Sequence, residues 1–138
     1  MSSTPIFDAI GGETAVRALT ARFYDLIETD PAAGTLLRLH FRGHGVAHAR
    51  REQFDFLCGF LGGPRHYAER HGHMNLREIH AHVPIRLDEA EVWLACFDRA
   101  MIETGVPEEA AARLRPTLRR AAMMLVNDLA AWGMPATR

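Results

Sequence analysis

Apolar residues along this chain recur at steps of three and four, and glycine and proline cut the runs into segments. Val16, Leu19, Phe23 and Ile27 form the first stripe and predict a helix over about 13–29, set off from a brief opening segment by Gly11-Gly12. Asp30-Pro31 ends it, and Pro31, whose fixed φ suits a first helical position, opens a short helix to about Leu39. His40 to Gly45 reads as a corner. A second long helix is expected from about Val46 to Leu61, stopped by Gly62-Gly63-Pro64. Positions 65–75 read as irregular, followed by a short helical turn around Leu76–Ala81 that Pro84 ends. Asp88 with Glu91 three residues on forms an acidic variant of a capping box, starting a long helix to Thr104 with Gly105 as its stop. Pro107 begins the last helical region, with an apolar stripe of Leu118, Ala121, Ala122, Leu125 and Leu129. Pro116 lies inside it and predicts a kink or break near Arg115. With no period-two strand and no repeat, the pattern predicts an all-α protein of four substantial helices.

Composition narrows the class. The 138 residues suit a single domain over 1–138, with 1–5 and 133–138 as flexible ends, and are enough to bury a core without staples. A hydrophobic share of 48% against 24% charged excludes a disordered chain. The 16 cations, all arginine, are interspersed with 17 acids, so no basic face exists for nucleic acid or an anionic membrane. Cys58 and Cys96 sit inside apolar helical patterns and read as buried thiols rather than a secreted disulfide framework. The start MSSTPIFDAIGG shows no charged-then-apolar leader, and no apolar run reaches the roughly 18 residues of a membrane span, so a cytoplasmic location is expected.

Five of the eight histidines fall in the stretch HYAERHGHMNLREIHAH, from His66 to His82. Zinc, an axial ligand to haem iron and a polar surface are the three readings. Structural zinc wants four N or S ligands in close pairs, whereas both cysteines lie far from the cluster and HExxH is absent. His71-x-His73 and His80-x-His82 fit known zinc spacings only loosely. His66, His71 and His73 flank glycine and charged residues and read as exposed, as do His44 and His48. His80 differs, since it follows Ile79 and stands four residues after Leu76 on the turn that Pro84 ends. There it is either a hydrogen-bonded core residue or the axial ligand of a flat cofactor.

Polar groups on three apolar stripes bear on that choice. Trp93 begins a face continued by Phe97 and Met101, Tyr24 adjoins Phe23, and Gln53 interrupts the stripe of Ala49, Phe56 and Phe60. A buried amide without a partner costs a few kcal/mol, and buried Tyr and Trp also need partners. Hydroxyl, indole and amide could satisfy one another or meet a polar diatomic ligand on a metal.

Taken in order, the motifs resemble those of the truncated (2/2) haemoglobins, group II (O-type), over nearly the whole chain from Ile6 to Asn127. They are IGGE near the start, Arg22-Phe23-Tyr24-Asp25-Leu26, Phe60-Leu61-Gly62-Gly63-Pro64 with Tyr67, and Glu69-Arg70-His71-Gly72-His73. Leu76-Arg77-x-x-His80, Pro84-Ile85 and Trp93-Leu94-x-Cys96 complete the set. The resemblance implies a shortened globin fold in which two antiparallel helix pairs sandwich haem b (iron protoporphyrin IX). It assigns His80, thirteen residues before Trp93, as the proximal iron ligand. Tyr24 and Trp93 are implied as distal hydrogen-bond donors, with Gln53 and Ala49 on the distal helix and Ala49 small enough to leave a gate open. Phe56, Tyr67 and Arg77 are expected at the cofactor, Arg77 as a propionate partner. The corner beside the haem falls on His40. The longer segment between Asp30 and Val46 leaves Phe41 as its alternative, and His82, where relatives often carry proline, is the rival ligand.

The function so implied is reversible binding of dioxygen, and of carbon monoxide and nitric oxide, at ferrous iron. Donors aimed at the ligand slow its release, each worth ~1–3 kcal/mol, which favours a sensor, scavenger or redox catalyst over a bulk carrier. An enzyme at the same site, acting as a nitric oxide dioxygenase or a peroxidase, would need an external reductase partner. A haem-free helical module binding zinc or protein is the outside alternative. A monomer or homodimer is expected.

Overall fold

In this computed structural model the described residues are 4–34, 37, 46–72 and 85–126. Six α-helices are described: α1 (Ile6–Ile10), α2 (Gly12–Thr29), α3 (Val46–Phe60), α4 (His66–His71), α5 (Leu87–Glu103) and α6 (Glu108–Leu125). Among the described residues there is no strand. α2 lies at the centre and packs on α5 and α3, while α4 covers α3, α6 covers α5, and α1 touches α2 and α6. The connection over 104–107 is short, so α5 and α6 run antiparallel.

The periodic stripes are what the fold buries. Val16, Leu19, Phe23 and Ile27 of α2 lose all or nearly all their accessible surface, as do Phe97 and Met101 of α5 and Leu114 and Leu118 of α6. Each such side chain contributes about 1.5–3 kcal/mol of transfer free energy. Asp30 closes α2 and its carboxylate accepts from the Ala32 N–H at 2.9 Å, with Pro31–Ala33 forming a 3-10 turn. Most of the helix expected to follow lies outside the described residues.

The stop after α3 works by close approach. Gly63 donates its N–H to the Cys58 carbonyl at 2.7 Å, and the Phe7 N–H of α1 meets the Leu61 carbonyl at 2.9 Å. A Cβ on Gly63 would stand 2.5 Å from the Phe7 ring, so only glycine lets α1 lie against this corner.

Three expectations are corrected. Residues 66–71 are helical where 65–75 was expected to be irregular. Tyr67 is buried there, Arg70 and His71 reach back to α3, and Gly72, at φ 78°, ends the helix in the left-handed region. Second, α5 starts at Leu87, so the capping carboxylate is Glu89, which accepts from the Arg86 N–H at 2.8 Å. Glu91 instead holds Arg119 of α6 through two hydrogen bonds of 2.9 and 3.0 Å. Third, α6 runs through Pro116 without a break. Pro116 and Ala112, whose carbonyl loses its helical donor, are both exposed, a setting in which solvent can satisfy an orphaned carbonyl.

Candidate ligand-binding site

Tyr24 follows Phe23 on α2, and the roughly 100° between successive helical residues sends the two rings to different neighbours. Phe23 turns to α5, where it stacks on Phe97 with centroids 4.0 Å apart and meets Trp93 edge-on at 5.8 Å. Trp93 and Phe97 are themselves 4.6 Å apart. Tyr24 packs edge-on against Phe23 at 4.8 Å and faces α3, whose Arg50 guanidinium lies 5.8 Å from its ring centroid. Burial pushes the Tyr24 phenol far above its ordinary ionisation range, an effect the Arg50 charge only partly offsets. Tyr24 therefore stays a neutral O–H donor at any ordinary pH. Trp93 is half-buried at the edge of the core that encloses Phe97.

The α3 helix carries Ala49 and Gln53 one turn apart, both half-buried, with Arg50 between them in sequence. Arg50 donates to Asp25 at 2.9 Å, to Glu28, and to the Ala21 carbonyl at 3.4 Å, all on α2. One turn on, Phe56 is buried against Tyr67 of α4, with centroids 5.4 Å apart and edge-on, and Phe60 lies 5.6 Å from Phe56. His71 lies against Tyr67 at 4.2 Å and shares a hydrogen bond of 2.7 Å with Glu52. Burial alone would raise the Glu52 carboxyl, but hydrogen bonds and charge from Arg70 and His71 outweigh it and hold the group below the usual carboxylate range.

Among the expected site residues, Tyr24 and Trp93 are thus joined through Phe23, Phe56 meets Tyr67, and Ala49 and Gln53 flank Arg50 on α3. His80, Arg77 and His40 lie outside the described residues, as do their alternatives His82 and Phe41. Phe23 and Phe97 at the centre of the aromatic cluster, and the Arg50 and Glu52 contacts, were not anticipated as site features. An arginine and acids flanking the donors in sequence were the only available signal. Among the described residues no three His, Cys, Asp or Glu side chains gather as a metal site. Both thiols are free and buried as expected, and burial, with nearby Glu13 and Asp55, pushes Cys58 up to about 11.

Comparison with known proteins gives this arrangement its class. The bacterial-like globin family matches residues 5–127. The group 2 truncated hemoglobin YjbI of Bacillus subtilis (strain 168) is 34% identical over 122 residues, 88% of each chain. A group II 2-on-2 hemoglobin from Agrobacterium tumefaciens superposes with a TM-score of 0.84 at 37% identity, covering 92% of this chain and 97% of that one. A truncated oxygen-avid haemoglobin from Bacillus subtilis gives 0.78 at 34% identity, covering 90% and 100%. The chain belongs to the bacterial-like globin family, as a truncated (2/2) haemoglobin of group II.

Globins hold haem and bind diatomic gases such as oxygen, and the described residues suit that group. A flat, largely apolar macrocycle needs apolar and aromatic walls with few, well-aimed polar groups. Phe56, Phe60, Tyr67 and half-buried Trp93 would offer aromatic surface to such a group, and Tyr24, Trp93 and Gln53 are the neutral donors nearest that role. No helix of the described residues is long and apolar enough to cross a membrane.

Proposed function

We propose that this protein is a single-domain haem b protein, cytoplasmic, that binds dioxygen reversibly, with His80 as proximal ligand and Tyr24, Trp93 and Gln53 as distal donors. Haem, when bound, supplies the ferrous iron at which a diatomic ligand attaches. The observation that carries the reading is Tyr24, a buried phenol held neutral beside the Phe23–Trp93–Phe97 cluster. A neutral hydroxyl gives a hydrogen bond to a polar ligand and repels no partial negative charge on it. The Trp93 indole N–H and the Gln53 amide add further donors, and Ala49, with no bulk beyond Cβ, leaves the entry beside them open. Phe56 and Tyr67 would wall the macrocycle, and the resemblance gives Arg77 as the residue that would pair with a propionate and His40 as the corner residue. The oxygen-avid relative from Bacillus subtilis supports slow dioxygen release.

The test is the visible spectrum of the purified protein, reduced and then exposed to carbon monoxide, for the wild type and His80→Ala. A Soret band that shifts on carbon monoxide, with haem lost or mis-ligated in the variant, is the expected result. Absence of the band after haem addition overturns the proposal, and an unchanged variant transfers the ligand role to His82.

A further inference from the structure

Arg50 occupies an unusual place for a charged residue. It lies on α3 directly after Ala49 and three residues before Gln53, yet its guanidinium points back to α2 and meets three acceptors there: the Ala21 carbonyl, Asp25 and Glu28. These acceptors, at spacings of four and three, form one stripe of α2 that brackets Tyr24 in sequence. The same guanidinium stands 5.8 Å from the centroid of the Tyr24 ring. One side chain therefore connects the distal donor on α2 with the helix turn that carries the other distal groups.

Stability is a weak explanation for such an arrangement. The Arg50, Asp25 and Glu28 side chains are 31%, 52% and 43% exposed, and ion pairs that wet contribute little to folding. Geometry is the stronger one. A planar fork with five donors, seated on two carboxylates and a carbonyl, fixes direction and distance, which a lysine ammonium on a flexible stem does not.

We propose that Arg50 is a positioning residue for the distal side, fixing the first turns of α3 against α2 so that Tyr24, Ala49 and Gln53 keep one mutual geometry and a hydrogen-bonded ligand is released slowly. This rests on the dioxygen-binding reading above. Without the fork, the turn bearing Ala49 and Gln53 moves relative to Tyr24, and the phenol spends less time aimed at the ligand. The effect is selective by ligand chemistry. Dioxygen accepts a strong hydrogen bond in such a site and carbon monoxide a weak one, so dioxygen release responds far more than carbon monoxide release.

The experiment measures both release rates by stopped flow for the wild type, Arg50→Leu and Arg50→Lys, with amide exchange of residues 47–53 in the same samples. Arg50→Leu is expected to speed dioxygen release by about three- to tenfold, as the loss of one well-aimed hydrogen bond does, and carbon monoxide release by less than about twofold. Arg50→Lys recovers part of the difference, and exchange over 47–53 quickens in step with dioxygen release. Asp25→Asn combined with Glu28→Gln reproduces the Arg50→Leu result from the α2 side, which keeps the test available if Arg50→Leu folds poorly. Equal acceleration of both gases, or unchanged dioxygen release in a protein with a normal Soret band, overturns the positioning role and leaves the haem reading intact. A wild type without a Soret band defeats both.

Discussion

The α2–α5 contact and the α3–α4 contact hold neighbouring parts of the proposed site by different physics. Between α2 and α5 the joint is aromatic: Phe23 and Phe97, both fully buried, stack at 4.0 Å with Trp93 and Tyr24 at their edges. No side chain in that cluster titrates at ordinary pH, and salt has little to screen. Between α3 and α4 the joint is largely ionic. Glu52 receives Arg70 at 2.8 Å and His71 at 2.7 Å, Arg70 also holds Asp55, and the Phe56–Tyr67 pair adds apolar weight, with Phe54 stacked on His66 at 6.4 Å. The α2–α5 joint is thus insulated from solution conditions, while α4 is held to α3 by charges that pH and salt can reach.

Cutting the aromatic joint has the largest expected effect. Phe97→Ala removes a fully buried ring that Phe23 and Trp93 both touch, at a cost of about 3–5 kcal/mol in urea unfolding, nearly independent of salt. A loss below ~1 kcal/mol would mean that the cluster packs loosely and the contrast with α4 is false. Gly63→Ala tests a packing contact at the far end of α3. Its Cβ would press on the Phe7 ring, costing about 1–3 kcal/mol, and a second substitution, Phe7→Ala, makes the added methyl harmless. If the double variant shows no such relief, the Phe7 contact is not the cause.

The ionic joint gives the smallest effect and the only one with a pH signature. Glu52→Gln is expected to cost ~0.5–1 kcal/mol at neutral pH, because the pair is partly wet and Arg70 retains Asp55. The Glu52 carboxyl lies below its unfolded value, so its contribution is complete above that value, roughly pH 4.3, and is lost as pH falls through the depressed folded value. Urea midpoints of the wild type and the variant should therefore stay apart above the ordinary carboxylate value, begin to converge below it, and meet once pH has passed the depressed folded value. A gap that persists in acid would assign the contribution to shape rather than charge.

Residues that bury a repeated stripe were the legible part of this fold. Val16, Leu19, Phe23 and Ile27 announce α2, and the same logic finds α3, α5 and the start of α6 within a residue or two. α6 ends at Leu125, and Leu129, the last residue of its expected stripe, lies outside the described residues. α4 escaped because its six residues span under two turns, too few for a period to show, and its support comes from Glu52 and Asp55, at sequence separations of 19 and 15. Pro116 misled because the break it predicts depends on whether the orphaned carbonyl is buried, which only the packing of α6 decides. At the site, Tyr24 and Trp93 stood out as polar groups on apolar stripes. Arg50 did not, since a charge beside other charges on a helix reads as a solvated face until the partner helix is placed.

The docking of α1 carries a consequence for how the chain is made. Its approach leaves the Thr4 carbonyl accepting from Arg113 of α6 across a sequence separation of 109, while α2 and α5 gain their contacts within the span between. Closing so long a loop is entropically costly until a framework exists to receive it. During synthesis α1 leaves the ribosome well before α6, and its place between α2 and α6 does not exist until nearly every other helix has emerged. Although made before the helices that hold it, α1 is thus among the last to find its seat.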